Sequence, residues 1–144
     1  MELPSKHTAP ITVLVVEDDE LSRDILARII PKKFPLTAVY TAANGKAGLD
    51  LMMVHPPDIV ITDIVMPEMD GARMADHIPS VKPDAKLIVI TADSEKQVQK
   101  NFTPPGVTVN HYLFKPVHYL DLFAAIEQCI AEVEGGPVQV SPCG

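Results

Sequence analysis

Three short runs in this chain are apolar almost without interruption: Ile11 to Val16, Ile59 to Ile61 and Leu87 to Ile90. A strand with one face in water alternates apolar and polar residues. An unbroken run is how a strand buried on both faces reads, as in a parallel sheet covered by helices. Each run also ends in chemistry. The first leads into Glu17-Asp18-Asp19, the second into Asp63 and the third into Thr91. A fourth, less apolar candidate, Thr108 to Phe114, runs into Lys115-Pro116. Open α/β sheets place their sites outside the carboxyl ends of the strands. An acid pair, an acid, a hydroxyl and a lysine would therefore gather at one edge.

The segments between these runs have helical spacing. Leu21, Ile25, Leu26 and Ile29 predict one apolar face on a helix from about Glu20, stopped by Pro31. Leu36 to Thr41 reads as a weaker strand towards an edge, and Asn44-Gly45 as a turn. A short helix is expected over Lys46 to Val54, and another over Ala72 to Ile78, cut off by Pro79. A helix is expected over about Glu95 to Asn101, broken by Pro104-Pro105-Gly106. A last helix spans Leu120 to about Val133, with Leu120, Phe123, Ala124, Ile130 and Val133 expected against the sheet. Strands alternating with helices over short connections imply right-handed βαβ units and a parallel sheet. The expected fold class is α/β, a doubly wound five-stranded parallel sheet in the order 2-1-3-4-5 with helices on both faces. Its switch point lies between the first and third strands, where Glu17, Asp18 and Asp63 end.

At 144 residues the chain has room for one domain with a real core. Residues 1–10 read as a disordered lead, 11–133 as the domain and 134–144 as a flexible tail or linker stub. A net charge of −7 argues against nucleic-acid binding, because a phosphate backbone needs a basic face. No apolar run approaches a membrane span, and the amino terminus lacks the hydrophobic core of a signal peptide. Cys129 and Cys143 have no metal-like spacing; Cys129 reads as a small buried or half-buried thiol. A reducing, cytoplasmic location is the expectation. On that ground Asn101-Phe102-Thr103 carries no weight as a glycosylation acceptor.

Close-set carboxylates need relief. Two unit charges ~4 Å apart repel by about 4 kcal/mol at an effective dielectric near 20. A divalent cation, a raised pKa or a nearby lysine supplies that relief. Oxygen-only ligands favour a hard ion, Mg²⁺ before Zn²⁺. Asp19 is best read as a helix start, whereas Glu17 and Asp18 sit at the strand end opposite Asp63. Asp63 is the best nucleophile, since a carboxylate accepts a phosphoryl group to give an aspartyl phosphate. Alone, Lys115 would be a solvated surface lysine and Thr91 an ordinary strand residue; their arrangement with the acids promotes them.

The pieces VLVVEDDE at 13–20, DIVITDIVMPEMDG at 58–71, VITAD at 89–93 and FKP at 114–116 stand in an order and spacing that resemble the receiver domain of two-component response regulators. The resemblance covers about Ile11 to Val133. It implies a flavodoxin-like fold, with Asp63 as phosphoacceptor and Asp18 bound directly to Mg²⁺. Glu17 would assist, and the backbone carbonyl of Val65 would complete the metal ligands. It further implies that Lys115 pairs with a phosphate oxygen, that Lys115–Pro116 is cis and that Thr91 moves to the phosphoryl group. Tyr112 matches the aromatic switch position; taken alone, it reads as a half-buried strand aromatic.

The partners implied are a sensor histidine kinase or phosphotransfer protein and an unknown output domain or effector. A homodimer through the fourth-helix to fifth-helix face is also implied, but Pro104-Pro105-Gly106 puts it in question. Val65 offers no polar group to orient an attacking water, which predicts slow dephosphorylation; Asp93 could act the other way or repel the phosphate. The chain is then a signalling switch rather than an enzyme.

Rival readings fare worse. A flavin-binding relative would want Ser, Thr and Gly after the first strand, where this chain has Glu-Asp-Asp-Glu. There is no GxxxxGK[ST], GxGxxG or GxSxG motif. An aspartate phosphatase would want a second acid at position 65. The serious alternative is a receiver-like interaction module that is never phosphorylated. It predicts a broken site, and every key residue is intact.

Overall fold

The computed structural model describes residues 10–63, 71–92 and 108–134. Five strands lie parallel in one sheet: β1 (Ile11–Val16), β2 (Thr37–Ala42), β3 (Ile59–Asp63), β4 (Lys86–Thr91) and β5 (His111–Phe114). Their order is β2-β1-β3-β4-β5, the doubly wound arrangement expected. The register sets Val13 beside Ile59, Asp63 beside Ile90 and Thr91 beside Phe114. The ends of β1, β3 and β4 thus come out on one edge. β2 flanks the sheet on one side, as its weaker apolar run implied.

The helices are α1 (Glu20–Lys33), α2 (Gly45–Val54), α3 (Gly71–Ala75), α4 (Ile78–Val81) and α5 (Tyr119–Val133). They divide between the two faces, because successive strand side chains point opposite ways. Leu14, Val16, Val60, Leu87 and Val89 pack with Met52 of α2, Met74 of α3 and Ile78 of α4. Ile11, Val13, Val15, Ile59, Ile61, Ile88 and Ile90 pack with Leu26 and Ile30 of α1 and with Leu122, Ile126 and Cys129 of α5. Both faces of β1, β3 and β4 are therefore core, which is why those runs are apolar throughout. On the first face α2 comes very close. A Cβ on Gly48 would stand 2.9 Å from both Met74 Sδ and Val16 Cγ2.

Several local expectations are corrected. Helix α1 does not stop at Pro31 but continues to Lys33. Proline removes one N–H, but Phe34 N–H still closes the last turn on the Ile30 carbonyl at 2.8 Å. Ile30 is fully buried, and its packing outweighs the local break. Leu21 is not on the core face; it is 69 % exposed. Asn44 is the N-cap of α2 rather than a simple turn residue, its Oδ1 accepting the Ala47 N–H at 2.8 Å. Pro79 opens α4 in its first turn, a position where its missing N–H has no helical partner. Strand β5 begins at His111, not Thr108. Just before it, Asn110 binds β4 through its side chain, Oδ1 accepting the Leu87 N–H at 2.8 Å. In α5 the inward residues are Leu122, Ala125, Ile126 and Cys129, while Leu120 is 80 % exposed and Ala124 is exposed. Cys129 is buried as expected. The expected helix over Glu95 to Asn101, the Pro104-Pro105-Gly106 break, the lead to residue 9 and the tail from 135 lie outside the described residues. No helix among the described residues is long and apolar enough to cross a membrane.

Candidate functional site

β1 delivers Glu17 to the sheet edge and holds it there. Its N–H donates to the Ala42 carbonyl at 3.0 Å, extending the ladder with β2 by one residue. Its side chain is buried, and Oε2 accepts the Asp19 N–H at 3.0 Å. Asp19 in turn caps α1, Oδ2 accepting the Ser22 N–H at 2.9 Å. That backbone hydrogen bond holds the Asp19 carboxyl below its usual range. Asp19 is thus the helix start that its position suggested. Asp18 lies between the two and is exposed.

β3 brings Asp63 to the same edge, nearly buried at 8 % exposure. Carboxylate oxygens of Glu17, Asp18 and Asp63 all lie within 4.8 Å of one another. Lys115, just past β5, reaches in from the other side. Its Nζ donates to Asp63 Oδ2 at 2.7 Å and stands 3.7 Å from Glu17 Oε1. Its backbone N–H donates to the Thr91 carbonyl at 2.8 Å, which ties the lysine to the end of β4. The Lys115–Pro116 bond is cis, as the resemblance implied.

The electrostatics follow from this crowding. Burial pushes the Glu17 carboxyl up; the Asp19 N–H and the Lys115 charge pull it back only in part, and Asp18 and Asp63 add to the rise. Burial alone would lower the Lys115 pKa. The hydrogen bond and charge of Asp63, with Glu17 and Asp18 behind it, outweigh that and hold it above the usual lysine value. Three carboxylates against one ammonium leave a formal charge of −2. The donor set is oxygen only, two of the acids are buried, and the third faces water. These residues fit a hard divalent cation that keeps part of its water shell, the habit of Mg²⁺.

Thr91 ends β4 and is 2 % exposed; it directly follows Ile90, the register partner of Asp63. Tyr112 is not gathered into the cluster. It sits on β5 beside Val89, 40 % exposed, with burial of part of the ring raising its phenol pKa. Val65 and Asp93 lie outside the described residues. Beside the acids is a cavity of about 410 Å³, lined by Glu17, Asp19 and Lys115 together with Leu26, Ile90 and Leu122.

One residue of the site was not singled out from the sequence. Arg23, on α1, turns back so that Nη1 donates to the Glu17 backbone carbonyl at 3.0 Å. Its only signal in the sequence is a cation six positions after the first acid, which an exposed helix face would explain equally well.

The comparisons agree with this geometry. The family model of the response regulator receiver domain matches residues 13–127. The transcriptional regulatory protein PdtaR of Mycobacterium tuberculosis is 34% identical over 122 residues, 85% of this chain and 58% of that protein. The uncharacterized transcriptional regulatory protein YesN of Bacillus subtilis is 30% identical over 123 residues, 85% of this chain but 33% of that protein. The chain therefore spans between about a third and three fifths of these relatives' length. Among solved structures, the N-terminal domain of an uncharacterized protein from Wolinella succinogenes is 34% identical. It covers 83% of this chain and 94% of that one, with a TM-score of 0.73. A CheY-like receiver domain protein from Methanospirillum hungatei superimposes with a TM-score of 0.76 at 25% identity, over 88% of this chain and 98% of that one. With its strand order, its acids and its lysine where this family model falls, the chain belongs to the receiver domain family of two-component response regulators.

Proposed function

We propose that this domain accepts a phosphoryl group on Asp63 from a histidine kinase or phosphotransfer protein, in a Mg²⁺-dependent reaction, and switches its partner-binding face in response. The observation that carries the reading is the Lys115–Asp63 contact of 2.7 Å inside a three-carboxylate cluster at the sheet edge. Glu17, Asp18 and Asp63 would hold the cation, with the Val65 carbonyl added from the family resemblance. Bound there, Mg²⁺ supplies positive charge against the phosphoryl oxygens.

The protein's own part is positioning and neutralisation. A carboxylate oxygen of Asp63 attacks phosphorus. The bond from phosphorus to the donor's imidazole nitrogen breaks, and that nitrogen keeps the electron pair. Lys115, tied to Asp63 Oδ2 before transfer, would take a phosphoryl oxygen in the product. Thr91, at the neighbouring strand end, offers its hydroxyl to the same group. The product carries roughly −1.5 to −2 charges at an already acidic edge. That charge biases two states of the Thr91–Tyr112 region, with Tyr112 turning inward. An output domain or effector reads the change, and pairing through the fourth-helix to fifth-helix face is one form the response would take. The apolar Val65 leaves the phosphoryl group long-lived. The domain works as a cytoplasmic signalling switch rather than as an enzyme on an outside substrate.

The test is intact-mass analysis after incubation with acetyl phosphate and Mg²⁺, beside Asp63→Ala. The reading expects one phosphoryl adduct on the native chain, none on the variant and none when a chelator precedes the donor. An adduct on both chains would remove Asp63 from its role. No adduct, and no Mg²⁺ binding by titration, would favour a non-phosphorylated interaction module.

A further inference from the structure

The loop between β1 and α1 is three successive acids, Glu17 to Asp19, and its parts are anchored unequally. Glu17 is fixed by its N–H on Ala42 and its carboxylate on Asp19 N–H. Asp19 is fixed by capping, its Oδ2 on Ser22 N–H and its carbonyl on Arg23 N–H at 2.9 Å. Asp18 lies exposed between them, its carboxyl set against that of Glu17, and the Glu17–Asp18 peptide fixes where its side chain starts. The Glu17 carbonyl belongs to the planar Glu17–Asp18 peptide. A donor fixed on that oxygen therefore fixes the plane from which the Asp18 side chain departs. Arg23 Nη1 is that donor, at 3.0 Å. Its own backbone is tied to Asp19, so the residue bridges both ends of the loop. A guanidinium suits the task, since it stays charged and presents several donors in a rigid fork.

We propose that Arg23 is a positioning residue of the cation site. By holding the Glu17–Asp18 peptide, it keeps the Asp18 carboxylate directed at Asp63 rather than at bulk water. The inference rests on the phosphoacceptor reading above and adds to it a residue that touches neither the phosphoryl group nor the cation. A residue that orients a ligand shows itself in metal affinity, where such partners change binding by roughly 10–100-fold. A residue that merely supports the fold shows itself in stability alone.

The experiment is calorimetric titration of Mg²⁺ into the native chain, Arg23→Met and Arg23→Lys, with thermal unfolding of each in EDTA. Arg23→Met should weaken Mg²⁺ binding about tenfold, and Arg23→Lys, which keeps a charged donor, by no more than about threefold. In an Asp18→Asn background the Arg23→Met change should shrink below about twofold, because the ligand it directs is already lost. Native-like Mg²⁺ affinity in Arg23→Met, even with a lowered melting point, would overturn the inference. So would a full tenfold loss persisting in the Asp18→Asn background. If Arg23→Met does not fold, Arg23→Gln, too short to reach the Glu17 carbonyl, replaces it in both backgrounds, with the same loss of about tenfold expected and native-like affinity overturning the inference. Failure of the native chain itself to bind Mg²⁺ would overturn the site reading and this inference together. That outcome is read on the native protein alone, so the two failures are distinguishable.

Discussion

Replacing Lys115 with Met removes the ammonium from a cluster of three acids while keeping most of the side chain's length. At an effective dielectric near 20, the 2.7 Å contact with Asp63 corresponds to about 6 kcal/mol and the 3.7 Å approach to Glu17 to about 4.5 kcal/mol. These are ceilings, because the Lys115 side chain is 36 % exposed and water screens it. The bulk-water values, about 1.5 and 1.1 kcal/mol, mark the other limit. Desolvation and ordering of the lysine offset part of the gain, so the expected loss is about 2 kcal/mol in EDTA. Unfolding entropy near 2.1 cal/mol/K per residue turns that into a fall in Tm of about 7 °C. The contribution has a defined pH window. Because the folded pKa of Lys115 is raised, its stabilisation is complete below the ordinary lysine value and is lost as pH climbs through the higher folded one. Mg²⁺ should narrow the gap, since it relieves the same repulsion. The assay is thermal or urea unfolding of native, Lys115→Met, Asp63→Asn and the double variant, in EDTA and in excess Mg²⁺. The cycle should give a coupling of about 1–2 kcal/mol in EDTA. A Lys115→Met protein as stable as native in EDTA, or a gap that widens in Mg²⁺, would refute this electrostatic account.

Three further predictions concern other parts of the molecule. Gly48→Ala should destabilise by about 1 kcal/mol in urea unfolding, although Ala is the better helix former; its Cβ would press on Val16 and Met74 at 2.9 Å, and a more stable variant would show that α2 has room to move. Burial pushes the Cys129 thiol up to about 12 from 9.0, so its stabilising effect is whole below pH 9 and is lost between there and about pH 12. From pH 8 to 10.5 the native chain should therefore lose about 2 kcal/mol more stability than Cys129→Ala, and parallel pH profiles would contradict that. Val65→Asn should speed loss of the phosphoryl group several-fold in a phosphate-release assay by offering a polar group to water; an unchanged rate would separate lifetime from this position.

Much of the architecture was legible because the strands state it twice, once in composition and once in how they end. Val13 to Val16 must be apolar on both faces, and the acids that follow have no reason to stand there in a core element. Lys115-Pro116 and Asp63 were found the same way. Helix faces were harder. Helix α5 offers apolar or small residues at most positions, so periodicity did not select between the Leu120 stripe and the Leu122–Ile126–Cys129 stripe that is buried. Pro31 and Pro79 misled because a proline's effect depends on where in the helix it falls. Pro31 is tolerated in a last turn anchored by Ile30, and Pro79 opens a helix. Arg23 was hidden because a hydrogen bond to a backbone carbonyl leaves no pattern in residue types.

The most direct test of the central claim is chemical location of the phosphoryl group. The protein would be treated with phosphoramidate and Mg²⁺, whose P–N bond resembles that of a phosphohistidine, and then reduced with borohydride before peptide mapping. An acyl phosphate on Asp63 is converted to homoserine, so the account predicts homoserine at position 63, absent when EDTA precedes the donor. Homoserine at another acid, or none at 63 while the chain demonstrably binds Mg²⁺, would contradict it.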